Sequence, residues 1–279
     1  MYCDDTLIAK EIISQSDSIM LQNDLNNILD WTKIWGMSFN VDKCEQMTVT
    51  NKKNPISTQY YIGNNILTKK ETIKYLGVLI DKKLTFKQHI QVKSQKATTV
   101  LNMLKRNLHF APKSVKCKAY QACVQPILEY ASNCWAPTSK TLSNKIEMVH
   151  HNAAKFVSNR YPKKGQYQNF SISKVLHDLG WISLEERRKQ SRLVMAYNLL
   201  NGHLILEPTM IPKMKYKRPV RQCNEVKVGT ANQLMEPESD LDVTKSTFFF
   251  ATPKMWNDSI SPSQANAPSV KAFKRHFKK

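Results

Sequence analysis

From Lys82 to Lys118 the chain carries Lys82, Lys83, Lys87, Lys93, Lys96, Lys105, Arg106, Lys113, Lys116 and Lys118, and no aspartate or glutamate at all. Through the same stretch Ile90, Ala97, Leu101, Leu104 and Leu108 recur near helical period, which predicts an amphipathic helix. Pro112 breaks it, and a second helix is expected to start near Ser114. A charge run is usually a solvated face. A helical layer with no acidic residue repels itself, however, unless something anionic lies against it.

The whole chain repeats that bias. Its 42 Lys and Arg face 22 Asp and Glu, a formal net charge of +20 over 279 residues. Such a balance points to a polyanion, most often nucleic acid, because each neutralised phosphate releases counterions. The bland alternative is solubility, or attraction to an anionic membrane surface. No apolar run approaches the roughly 20 residues that span a bilayer, and residues 1–11 have no long apolar core of the kind a signal peptide needs. With 41% hydrophobic residues, the length allows one large domain or two modest ones. Six cysteines are spread thinly with no C-x-x-C and no Cys/His zinc spacing, so all are expected as reduced thiols in an intracellular protein. His150–His151 makes a poor chelate, since adjacent helical residues diverge by about 100°.

Residues 1–86 read as mixed α and β. Tyr2–Cys3 and Thr6–Ala9 suit two strands turning at Asp4–Asp5. Ser16 and Asp17 look like cap signals for a helix bearing Leu21, Leu25, Ile28, Leu29 and Trp35, with Gly36 as its stop. Met47 and Val49 alternate with polar neighbours as in a half-buried strand. Gly63–Asn64–Asn65 reads as a turn, and Ile73–Asp81 as a longer strand. Beyond residue 87 helices dominate. ILEYASNCWAPTS is a bend or loop, and Leu142, Ile146, Val149, Ala153 and Phe156 mark a helix. S-L-E-E from Ser183 is a capping box opening another helix that runs to Gly202. Residues 207–240 read as polar loop or linker, and Val270–Phe277 as a short helix. The fold class is α+β.

The paired carboxylates in Y-C-D-D carry the candidate chemistry. Polymerase-type phosphoryl transfer uses two divalent ions about 3.5–4 Å apart, held by carboxylates. A tight strand–turn–strand would present paired aspartates rigidly at the mouth of a sheet. Alone, the string is weak, because solvated acidic turns are common.

Its context is stronger. Y-C-D-D is followed in order by LNNILDWTKIWGMSFN, NVDKCEQMTVT and IKYLGVLIDKKLTF, then by ILEYASNCWAPTS, KIEMVHHNAAKFV and SVKAFKRHFKK. The chain resembles the C-terminal part of the reverse transcriptase of LINE-like, non-LTR retrotransposons, in particular jockey-like elements, over essentially its whole length. The resemblance implies the end of a reverse-transcriptase palm (β-hairpin, helix, strand, hairpin) over residues 1–86, a helical thumb over 87–160 and a helical and loop region over 161–279. It implies Mg²⁺ (or Mn²⁺) bound in the intact parent by Asp4 and Asp5, with Asp4 the closer ligand, and RNA template, DNA primer and dNTP as partners. Gly36, Asn40 and Lys43 match a segment whose lysine protonates the leaving pyrophosphate; a solvated lysine on a strand edge is the equal alternative. Tyr75, Leu76 and Gly77 match a hairpin that grips the primer end, against which stands a glycine bulge in an ordinary strand. Of the ten cations, Lys87 to Lys118 fall in the thumb, which tracks duplex phosphates, and Lys82 and Lys83 lie just before it. Lys213, Lys215, Lys217, Arg218 and Arg221 are read first as a basic loop.

The chain also departs from the pattern. The family's first catalytic aspartate lies upstream of the paired ones, and Asp81, Asp178 and Asp258 belong to other elements. One carboxylate short, the site has too few hard ligands for Mg²⁺, and no metal is expected to bind tightly. The expectation is therefore a polymerase fragment, inactive as given, of the nucleus or cytoplasm. The alternative is a non-catalytic RNA- or DNA-binding module in which Asp4 and Asp5 are vestigial.

Overall fold

The computed structural model describes residues 5–137, 139–162, 170–206, 233–238 and 247–277. The chain divides into two compact units, Met1–His89 and Ile90–Lys279.

The first unit is built on one helix. α1 (Gln15–Ile34) starts because the Asp17 carboxylate accepts from the backbone N–H of Ser14 at 2.7 Å and of Ile13 at 3.0 Å, and from the Ser14 hydroxyl at 2.8 Å. The cap is thus Ser14, two residues before the expected Ser16. α1 ends as predicted at Gly36, whose φ of +64° closes the helix. Gly36 N–H donates to Lys33 and Met37 N–H to Thr32, which satisfies two terminal carbonyls.

Three two-stranded sheets follow: β1 (Glu45–Gln46) parallel to β4 (Thr68–Lys69), β2 (Tyr61–Ile62) antiparallel to β3 (Asn65–Ile66), and β5 (Thr72–Tyr75) antiparallel to β6 (Val78–Asp81). Two glutamine amides tie these short pieces together. Gln22 on α1 donates to Tyr61 O and accepts from Tyr61 N–H, at 3.0 and 2.9 Å. Gln46 does the same for Thr58 O and Tyr60 N–H, at 3.1 and 3.0 Å. Each amide stands in for a missing strand neighbour, as backbone groups away from water require.

Several local expectations change. Thr6–Ala9 forms no strand; Asp5 makes an isolated bridge. The strand near Met47 shrinks to Glu45–Gln46. The turn between β2 and β3 is Gly63–Asn64, with Asn65 already in β3. Ile73–Asp81 is not one strand: it reverses at Leu76–Gly77, both with positive φ (+44° and +79°), so Tyr75 pairs with Val78. Both residues left-handed is the two-residue turn whose twist matches that of paired strands.

The second unit is helical. α2 (Lys87–Asn107) buries Ile90, Ala97, Leu101 and Leu104, the predicted stripe. Pro112 caps α3 (Lys113–Cys123), and α4 (Gln125–Glu129) takes up part of the predicted loop. α5 (Lys140–Ser158) carries the predicted apolar face and packs through Ala154 on Val175 and Leu176 of α6 (Ile172–Leu179). α7 (Leu184–Leu200) starts at Ser183, whose hydroxyl accepts from Glu186 N–H at 3.1 Å. The reciprocal half of the expected box is redirected, since the Glu186 carboxylate accepts from Gln190.

α8 (Phe248–Ser259), α9 (Pro262–Ala265) and α10 (Val270–Arg275) close the chain. Tyr197 of α7 stacks on Phe273 of α10 at 4.5 Å, with Trp256 of α8 on the same ring at 5.8 Å. α8 was missed in the sequence because Pro253 sits inside it and reads as a breaker. The cluster Lys213 to Arg221 lies outside the described residues. Among those described, no helix is long and apolar enough to cross a membrane, and Cys44, Cys117, Cys123 and Cys134 are free thiols.

Candidate nucleic-acid interface

The residues singled out in the sequence fall into both units. In the first, Asp4 lies outside the described residues, while Asp5 is exposed. Lys43 is exposed at the end of a single 3₁₀ turn, Val41–Lys43, closed by Lys43 N–H on Asn40 O and Cys44 N–H on Val41 O. Among the described residues no three His, Cys, Asp or Glu side chains gather as a metal site. Asp5, the one described member of the pair, is no donor set by itself. Tyr75, Leu76 and Gly77 occupy the β5–β6 reversal, half-buried. Behind it His89 Nδ1 accepts from Leu79 N–H at 3.1 Å, anchoring β6 to the first turn of α2.

The ten cations differ in what holds them. Lys82 is paired with the Glu71 carboxylate. Lys83, Lys87, Lys96, Arg106, Lys113 and Lys118 are exposed. Lys93 lies 5.8 Å over the Tyr130 ring, a cation–π contact. Lys105 is partly buried, and burial followed by repulsion from Lys155 pulls its ammonium below the ordinary lysine value.

Lys116 corrects the sequence reading. It is 1% exposed, donates to Asn159 Oδ1 at 2.8 Å and lies 5.1 Å over the Phe156 ring. Asn159 is the left-handed C-cap of α5, φ +53°. Lys116 therefore ties α3 to the end of α5 and presents no charge to a phosphate. Helical period places Lys116 on the same face as Tyr120, four residues on, but only the structure shows that face to be buried.

The acid-free character runs further than the cation list, with no Asp or Glu between Asp81 and Glu129. Glu129 in turn is held by a two-point contact, accepting from Arg187 Nε and, at 3.0 Å, from Nη2. The α2–α3 connection carries a feature that helical periodicity does not mark. There His109 and Phe110 stand out from the turn, rings 4.7 Å apart and near perpendicular at 84°. The available signal was an aromatic pair enclosed by cations and ended by a proline.

The class of protein that this chain resembles is the RNA-directed DNA polymerase of mobile elements. It is 31% identical over 156 residues, 53% of this chain and 16% of the relative, to the RNA-directed DNA polymerase from mobile element jockey of Drosophila funebris. The jockey polymerase of Drosophila melanogaster is 27% identical over 156 residues, with the same shares of each chain. A probable RNA-directed DNA polymerase from transposon BS of Drosophila melanogaster is 26% identical over 223 residues, 78% of this chain and 23% of the relative. The chain thus spans between 16% and 23% of the length of these curated relatives. No family model matches it. No solved structure matches it.

Proposed function

We propose that the chain is a portion of an RNA-directed DNA polymerase, and that its α2–α3 region holds a template–primer duplex by its phosphates. In this reading residues 1–86 end the palm, 87–160 form the thumb and 161–279 follow as a tail. The observation that carries it is the run of exposed cations Lys96, Arg106, Lys113 and Lys118 along α2 and α3, with no Asp or Glu between Asp81 and Glu129. Its natural ligand is a dense line of negative charge. The similarity to RNA-directed DNA polymerases supports an RNA template paired with a DNA primer as that ligand.

The reaction itself we assign to the longer protein. There Asp4 and Asp5 would hold a divalent metal that neutralises phosphate charge, Lys43 would give a proton to the pyrophosphate leaving from a dNTP, and Tyr75, Leu76 and Gly77 would steady the primer end. Copying RNA into DNA is intracellular work, in the nucleus, the cytoplasm or both.

The test is binding of the purified chain to a labelled RNA–DNA hybrid across a salt series. We expect affinity to fall steeply, with a log–log slope of about −0.9 per phosphate contacted. Binding independent of salt overturns the reading. Primer extension with Mg²⁺ and with Mn²⁺ is expected to yield no product from the chain alone. Templated synthesis would show that these residues carry the whole reaction.

A further inference from the structure

We propose that Phe110 is a base-stacking contact, its ring lying on an unpaired nucleobase while the cations around it hold the neighbouring phosphates. The inference rests on the nucleic-acid reading above and adds a specific contact to it.

Phe110 is 96% exposed. Leaving such a side chain in water forgoes the burial of a large apolar surface, so its position calls for a physical reason. Backbone slack does not supply one. The connection is a closed turn: Leu108 N–H donates to Leu104 O at 2.8 Å and Ala111 N–H to Leu108 O at 3.1 Å. Pro112 then caps α3, its carbonyl accepting from Val115 and Lys116 N–H, both at 3.1 Å. The ring is therefore held out from a folded tip, and His109 stands edge-to-face beside it.

The surroundings select the ligand. Arg106, in the last turn of α2, and Lys113, the first residue of α3, are both exposed on either side of the tip. No carboxylate of this stretch competes for them. An exposed aromatic face with exposed cations four residues before it and three after it fits the pattern by which single-stranded nucleic acid is held: stacking on the ring, ion pairing along the strand. An anionic membrane offers phosphates as well, but insertion would use an apolar helical stripe, and the α2 stripe is buried.

The experiment compares the full chain with Phe110→Ala, Phe110→Leu and Phe110→Trp on an RNA–DNA hybrid bearing a single-stranded overhang and on a blunt one. We expect Phe110→Ala to weaken overhang binding by about 5- to 150-fold with its salt slope and melting temperature unchanged. Blunt hybrid binding should barely move. Phe110→Trp should restore affinity and Phe110→Leu should not, because leucine keeps the bulk without the π-face. Unaltered binding by Phe110→Ala, or full rescue by leucine, overturns the stacking contact while leaving salt-dependent binding intact. Loss of salt-dependent binding in the unmodified chain removes the parent reading and this contact together. Phe110-dependent binding to phosphatidylserine vesicles but not to the overhang would reassign the residue to a membrane.

Discussion

The Tyr120 hydroxyl lies 2.6 Å from Nδ1 of His150, on whose other side Nε2 faces the Ile182 carbonyl at 3.1 Å. A carbonyl only accepts, so Nε2 carries the proton and Nδ1 accepts from the phenol. Trp181 stacks on both rings, at 4.7 Å from Tyr120 and 5.2 Å from His150. Burial lowers the His150 pKa to about 4 and pushes the Tyr120 phenol far up, so both stay neutral.

The second unit should therefore weaken in mild acid. Unfolded, the imidazole takes up a proton near 6.5, while in the folded protein it resists until about 4. Between those values the unfolded chain binds more protons, so stability is present above pH 6.5 and is lost as pH falls. The slope is about 1.4 kcal/mol per pH unit, roughly 3 kcal/mol over the window. Urea unfolding at pH 7 and pH 5, for the chain and for His150→Gln, isolates this contribution from the carboxylates. An identical pH dependence in both proteins would sink it.

Lys116 should behave unlike its neighbours. Lys116→Ala removes a buried stem and leaves Asn159 Oδ1 without its donor, costing roughly 2–4 kcal/mol. Lys116→Met, which keeps the stem, should recover part of that. Neither is expected to change the salt slope of nucleic-acid binding. Lys113→Ala and Lys118→Ala should each reduce that slope by about one contact with no loss of stability. A Lys116→Ala protein that melts normally and binds with a shallower slope would contradict the assignment.

Asp81 organises the path from β6 into α2. Its carboxylate accepts from Lys83 N–H, Thr85 N–H and the Thr85 hydroxyl, each at 3.1 Å, and from Phe86 N–H at 2.7 Å. Those bonds hold Leu84 and Phe86 at φ of +54° and +53°, conformations that disfavour side chains. Asp81→Ala should destabilise the first unit by about 2–3 kcal/mol and Asp81→Asn by less, since the amide keeps one accepting oxygen. Hydrogen exchange at the Thr85 and Phe86 amides reads this directly, and unchanged protection would refute it.

The β5–β6 turn stores strain at Leu76, φ +44°. Leu76→Asn places a residue that tolerates this region beside Gly77, and should raise stability by about 0.5–1 kcal/mol. A denaturant melt that shows a loss instead would mean that the leucine side chain is worth more to packing than its backbone costs.

The helices that were legible in the sequence share two features: an apolar stripe at helical period, and a terminal residue whose backbone preference stops the chain. Ile90 to Leu104 and Leu142 to Phe156 were read correctly for that reason, as was the stop at Gly36. The strands were read poorly because they are two to four residues long and completed by side-chain amides from Gln22 and Gln46. Alternation has no room to register in so few residues. Ile73–Asp81 reads as continuous in the sequence because leucine, here Leu76, is an unexpected residue for a left-handed turn.

Local order and charge were written in the chain itself: the helical stripes, the acid-free cationic stretch and the resemblance to polymerases of mobile elements follow from residue types at near-neighbour spacing. Which cations face solvent was decided only by tertiary packing. Lys116 and Lys113 share a helix and a charge, yet one meets Asn159, 43 positions away, while the other meets water. Burial depends on what the rest of the fold brings to each face, and sequence spacing along one helix carries no record of that.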